Sequence, residues 1–285
     1  MDSALLQAVL GGAIFSILFS LGIGLSMADF RRVVAQPKAF SVSLACQLVL
    51  LPLLAIAVAK VFALSPHNAV GLLLLSACPG GVTSNAFTRL AGGAIALSVS
   101  LTAASSLLAV ISIPTILFIG QQLLGADAQV VTIPLDYLAK NLLVITFLPV
   151  VLGMLVKQFA PRAALWLEPK LFPATTTLFF LIIAALWYLQ FDIYRDAFIE
   201  AGLPTFVLFM ATVVASLIVA RLAKFEPKDR TAAIFEVGVQ NPPVAFFIAV
   251  NIMKDMAVVP PAAVYAVVMV VGAAVMVLCV RAFAD

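Results

Sequence analysis

Apolar residues run along this chain in long blocks rather than in alternation. Charged residues or Pro and Gly breaks separate the blocks, and many reach the eighteen or more positions that a helix needs to cross a hydrocarbon layer about 30 Å thick. The pattern predicts nine spans, at residues 5–28, 37–59, 68–91, 94–119, 135–156, 170–189, 201–220, 231–252 and 259–280. A transmembrane β-strand would instead alternate polar and apolar residues over about ten positions, and no segment does so. The expected fold is all-α and integral to the membrane, with nine transmembrane helices and the termini on opposite sides.

The basic residues orient this arrangement, because short cytoplasmic loops retain Lys and Arg. Arg31, Arg32, Lys38, Arg89, Lys157, Arg162, Lys170, Arg221, Lys224, Lys228, Arg230 and Arg281 fall on one side, and Lys60, Arg195 and Lys254 on the other. Lys140 lies early in the fifth span, from which its long side chain reaches the outer interface. The split predicts an N-terminus outside and a cytoplasmic C-terminus, and the cell's inner (plasma) membrane is the expected location.

Composition agrees: of 285 residues, 64% are hydrophobic and 10% charged, against about 25% charged in soluble domains. Mean hydropathy is +1.20. The net charge of +3 reflects the one-sided loops and implies no nucleic-acid partner. Cys46, Cys78 and Cys279 lie in apolar segments without CxxC spacing, so neither a disulfide framework nor a zinc site is expected. No Lys or Arg precedes Arg31, and the first apolar stretch is too long for a signal peptide, so it is expected to be retained. With no long polar loop, residues 1–285 read as one transmembrane unit.

Two spans carry breaks. The third reads SACPGGVTSNAFTRL, with Pro79, Gly80 and Gly81 followed by Thr83, Ser84 and Asn85; the eighth reads AIFEVGVQNPPVAFF, with Glu236, Gly238, Gln240 and Asn241 before Pro242 and Pro243. One intramembrane proline is ordinarily a kink repaired by neighbouring helices. Two breaks flanked by amides and hydroxyls, in spans of opposite direction, predict the crossing discontinuous helices of an inverted-repeat transporter. Glu236 is the clearest acid within a span, and an ionisable group at that depth is a functional candidate by default. Hard cations take oxygen ligands. Ser98 and Thr102 supply them at i, i+4, with Ser105 continuing the stripe, although small hydroxyl residues also pack membrane helices. Gln47 is open to either reading. Trp166, Trp187 and Tyr188 read as interfacial anchors, and His67, beside Pro66, receives no role.

CPGGVTSN followed by Ala96-Leu97-Ser98 and Thr102, GIGLSMADF before a Pro-Lys loop, and EVGVQN together resemble the bile acid:sodium symporter family, in order and spacing over essentially the whole chain. The resemblance implies a core domain at about 38–119 and 201–285, a panel domain at about 1–37 and 120–200, and alternating access between them. It implies two Na+ sites, one of Ser84, Asn85, Ser98, Thr102 and Glu236, the other of Gln47, Glu236, Gln240 and carbonyls around Val237 and Val239. Family substrates are organic anions, including bile acids, pantoate and other small carboxylates, and Asn241 matches the position that faces them. The match begins at the second helix of ten-span bacterial members, which implies that their first is absent.

Pro242-Pro243 departs from the small-residue pair common after that Asn. Proline has no N–H, so a carboxylate is expected to rest on the amides of Val82, Thr83 and Ser84, beside Asn85, with the Asn241 side chain assisting. Two Na+ with one monovalent anion carry net charge, so uptake is expected to be electrogenic. The partners expected are thus sodium ions, a small organic anion and membrane lipid. The rivals are proton coupling through Glu236 and a membrane sensor that binds ligand without moving it. An enzyme is not expected: there is no HExxH, intramembrane carboxylate pair or Ser/Lys arrangement.

Overall fold

Hydrocarbon offers no partner for a backbone N–H or C=O, so a spanning chain must satisfy them internally. The computed structural model describes residues 3–25, 37–125, 135–189 and 191–282, and these are helical almost throughout. The helices are α1 (Ser3–Gly24), α2 (Pro37–Ala45), α3 (Leu51–Val61), α4 (Pro66–Ala77), α5 (Val82–Leu90), α6 (Ile95–Leu124), α7 (Leu135–Leu142), α8 (Leu148–Phe159), α9 (Pro161–Leu189), α10 (Phe191–Leu222), α11 (Pro227–Gly238), α12 (Pro242–Phe247) and α13 (Pro260–Ala282). Pro37–Val61, Ile95–Leu124, Phe198–Leu222 and Met256–Ala282 are long and apolar enough to cross a membrane. Residues 26–36, which hold most of the GIGLSMADF motif with Arg31 and Arg32, lie outside the described residues, as do the side chains of Asp136, Trp187 and Asp192.

Wide π-turns join α2 to α3 at Cys46–Leu50 and α7 to α8 at Leu143–Phe147. Their cause is local. Pro52 and Pro149 follow at once, and a proline ring in a regular α-helix clashes with the carbonyl four residues back. Leu51 N–H bonds to Cys46 O and Leu148 N–H to Leu143 O, so the ladder is already lengthened where each proline enters. The first of these turns carries Gln47.

Two helices begin earlier than their apolar cores suggest. Residues 161–169 and 191–200 read as loop and span end, because they are rich in charge and proline; the structure instead continues them into α9 and α10. Pro161 opens α9, where a missing N–H costs nothing. Lys170 lies 3.6 Å over the Trp166 ring on its exposed side, and Tyr188 is exposed near the far end. His67 sits in the first turn of α4, with Nε2 3.5 Å from Asp255 Oδ2.

Helix α1 packs most closely on α8 and α9, while α10 packs on α11 and α13. At the α1–α8 crossing, side chains are absent on both sides. A Cβ on Gly22 would strike the Val150 backbone, and one on Gly153 would strike Phe19 O and Ile23 N. Small residues allow such close approach, the ordinary means of packing membrane helices.

Candidate functional site

Both predicted breaks are present. Helix α4 stops at Ala77; Cys78 turns extended (ψ 154) and Gly81 remains extended (φ −145, ψ 179) before α5 starts. Helix α11 stops at Gly238, with Val239 and Asn241 out of helical geometry before α12. The two extended stretches meet in an antiparallel bridge between Gly80 and Gln240. Gly80 is required there, because a Cβ would fall on the Glu236 carboxylate.

Glu236 is fully buried, and its oxygens are ringed by hydroxyls from two other helices. Ser84 Oγ donates to Oε2 at 2.7 Å, Ser98 Oγ lies 2.9 Å from the same oxygen, and Thr102 Oγ1 reaches Oε1 at 2.5 Å. Asn85 Oδ1 closes the ring, 2.7 Å from Ser98 Oγ and 3.3 Å from Thr102 Oγ1. Sequence reasoning missed Thr88, whose hydroxyl donates to Ser98 Oγ at 3.3 Å; its i, i+4 relation to Ser84 was the available signal. All five residues of the first predicted ion set therefore converge. One carboxylate among hydroxyl and amide oxygens suits a hard monovalent cation. Among the described residues, no group of three or more His, Cys, Asp or Glu is placed to hold a metal ion.

The second set is less closed. Gln47 is 1% exposed, and neither side-chain amide atom has a hydrogen-bond partner among the described residues. Gln240 donates from Nε2 to Val237 O at 2.7 Å, and its Oε1 is likewise buried and unpartnered. Val239 donates its N–H to Phe235 O at 2.8 Å, ending α11. Tyr265, also missed, is buried on α13 and donates its OH to Gly238 O at 2.8 Å, which steadies the second break from behind. Buried polar atoms without partners are rare in folded proteins and call for a reason.

On the other side of the crossing lies a cavity of about 290 Å³, bounded by Ile17 and Leu21 of α1, Val82, Thr83 and Phe87 of α5, the second break and α13. Its polar lining, Thr83, Gln240 and Asn241, gathers at the crossing; the remainder is apolar, and it runs along α5 as far as the exposed Leu90. Of the residues expected to touch substrate, Val82, Thr83 and Asn241 line this space. Ser84 and Asn85 do not, because their side chains turn to the Glu236 ring. The Ser84 amide also differs from expectation: it bonds to Gly81 O at 3.1 Å, closing the first tight turn of α5, so only Val82 and Thr83 keep N–H groups free of helix bonds. At the second break Val244 and Ala245 amides turn back to Asn241 O, and the two prolines before them have no donor.

Comparison with known proteins gives a consistent picture. Residues 12–196 match the Sodium Bile acid symporter family. The chain is 28% identical over 261 residues to a probable chloroplastic sodium/metabolite cotransporter of Oryza sativa subsp. japonica, covering 90% of this chain and 60% of the relative. It is 28% identical over 250 residues to an uncharacterized sodium-dependent transporter of Bacillus subtilis (strain 168), covering 86% and 75%. Over 162 residues it is 31% identical to the human ileal sodium/bile acid cotransporter, covering 57% and 46%. The chain thus spans about 60% or less of the length of the plant and animal relatives.

Proposed function

Since the chain belongs to the sodium bile acid symporter family, whose members are transporters rather than enzymes, we propose that it is a sodium-coupled symporter moving a small organic anion across the plasma membrane by alternating access. The observation that carries this reading is the Glu236 carboxylate enclosed by Ser84, Asn85, Ser98 and Thr102, directly behind the apolar cavity. A proton needs no ring of oxygens; a bare cation does. We assign one Na+ to that ring and a second to Gln47, Gln240, Glu236 and the Val237 and Val239 carbonyls. The buried, unpartnered amide atoms of Gln47 and Gln240 support the second assignment.

The anion binds with its carboxylate on the Val82 and Thr83 amides, at the positive end of α5, and with its body in the apolar cavity. The Asn241 side chain, close beside Gly81, assists. Glu236 with two Na+ carries +1, and a monovalent anion neutralises it. Each ligand therefore raises the affinity for the other by the same factor. The lining supports a division into panel (α1, α7 to α9) and core, since Ile17 and Leu21 come from α1 and the other lining residues from core helices. With the basic loops cytoplasmic, a cavity running towards Leu90 and Arg89 corresponds to an inward-open state.

The test is uptake of pantoate, taurocholate and 2-keto acids into proteoliposomes with and without a sodium gradient. Sodium-driven uptake that carries positive charge inward is expected, and Glu236→Gln abolishes it. Equal uptake in sodium and potassium would sink the proposal. Anion binding without transport would instead identify a sensor.

A further inference from the structure

Among the described residues, Ser43 differs from most buried hydroxyls in what its oxygen does. Ser76, Ser105, Thr212 and Ser216 each bond to a carbonyl three or four residues back, the usual habit of a hydroxyl within a helix. Ser43 is 2% exposed, and its Oγ has no partner among the described residues. One turn further along is Gln47, in the same condition at both amide atoms. Ser20, Ser106 and Thr205 are unpartnered too, but Ser43 and Gln47 stand four residues apart on one continuous helical run, a column suited to a polar occupant.

Ser43 opens onto a narrow cleft between α2, α10 and α11, lined also by Cys46, Ser216, Ala233 and Val237. The cleft shares no lining residue with the large cavity. It is too constricted for water in this conformation. One end lies at Val237, in the last turn of α11 just before the second break. The other is stopped by Phe225, 7% exposed, whose N–H bonds to Ala220 O at 2.9 Å. A left-handed residue just before it, Lys224 (φ 55), turns the chain so that this ring points inward from the α10–α11 connection. The ring belongs to a cluster with Phe40, Leu97, Leu101, Ala220 and Ala233, and Val42 and Val219 complete the apolar lining of the cleft.

Building on the sodium-symport reading, we propose that this cleft is a cation passage separate from the anion's cavity. An ion leaving the Gln47 amide passes the Ser43 and Ser216 oxygens and emerges beside Phe225, which is the plug. Ser216 donates its own hydrogen to Thr212 O at 2.6 Å, so its lone pairs remain for a cation. Two exits in one transporter allow ion and anion to leave in either order without passing the same constriction.

Cys46 is a native probe within the cleft, and Cys78, buried at the first break, is a built-in control. The purified protein is treated with 2-aminoethyl methanethiosulfonate, a small cationic thiol reagent, and modification at each cysteine is followed by peptide mass spectrometry. Slow modification of Cys46 is expected, slowed further by Na+ and unaffected by taurocholate. In Phe225→Ala the rate rises severalfold, in Phe225→Leu less, and Cys78 does not change. Leu90→Ala, which widens the large cavity, leaves Cys46 unchanged.

An unaltered Cys46 rate in Phe225→Ala would overturn the passage, as would a parallel rise at Cys78, which signals general loosening, or protection by taurocholate. Sodium-driven uptake measured on the same preparations separates the two ideas. If uptake persists while Cys46 fails these tests, only the passage is lost; if wild-type uptake ignores sodium, the symport reading falls and the passage with it.

Discussion

The two broken helices match in topology and differ in chemistry. After the first break, α5 begins with two residues that keep their N–H groups and line the cavity. After the second, α12 begins with two prolines that have none, and the next two amides fold back onto Asn241 O. Before the breaks the contrast reverses: Glu236 stands in α11, whereas the last turn of α4 and the following Cys78 carry no acid. One half-helix keeps free donors where the proposed anion would rest, and the opposing one holds the carboxylate of the proposed cation sites. Pseudo-symmetric backbones thus need not bind alike, because two side-chain choices at a helix start decide the sign of the ligand it prefers.

The severest way to break this division of labour is Glu236→Gln. It removes the only full charge in the ring, a loss of roughly 3 kcal/mol or more, or at least about a hundredfold in sodium affinity. Uptake at saturating anion should fall to background, and sodium should no longer raise the melting temperature. Next is Gly80→Ala, which drives a methyl group onto the carboxylate. Overpacking of this kind costs about 1–3 kcal/mol. Sodium-dependent stabilisation should shrink or vanish, while protein that still folds retains sodium-independent anion binding.

Thr102→Val is milder. It deletes one hydroxyl on Oε1, worth about 1 kcal/mol, so the sodium KM should rise about fivefold with the anion KM measured at saturating sodium unchanged.

Val82→Pro makes the first break imitate the second. Gly81 is already extended, as a residue before proline prefers, so the fold should tolerate it. One donor to the anion is lost, and the anion KM should rise about fivefold, a change near 1 kcal/mol, with the sodium KM intact. The smallest effect is expected from Pro242→Ala with Pro243→Ala. Restoring two N–H groups where the anion does not rest should move its KM by less than about threefold; a tenfold gain would show that both half-helices share the anion after all.

Much of the crossing was legible in the sequence, for a physical reason. In hydrocarbon a Pro-Gly-Gly or Asn-Pro-Pro run has few tolerable environments, and Ser98/Thr102 at i, i+4 can face only one way once either of them faces Glu236. What was not legible depends on backbone hydrogen bonds. Nothing in VTSN tells that the Ser84 amide is spent on Gly81 O. The π-turn that carries Gln47 has no periodic signature, even though Pro52 now explains it. The early starts of α9 and α10 were hidden because charge and proline mark the end of hydrocarbon, whereas a helix can continue past it into water. Tyr265 read as one apolar-span residue among many; only the fold brings its hydroxyl to Gly238 O.

The contact of Gly22 with Gly153 has a mechanical consequence. Helices that meet through side chains can slide, because rotamers yield a little at each step. Here backbone lies against backbone, and a small turn of α1 against α8 would drive peptide groups into one another. These two helices therefore behave as a single welded beam. Under the alternating access proposed above, movement would pass the other face of α1, where Ile17 and Leu21 present smooth hydrocarbon to the cavity.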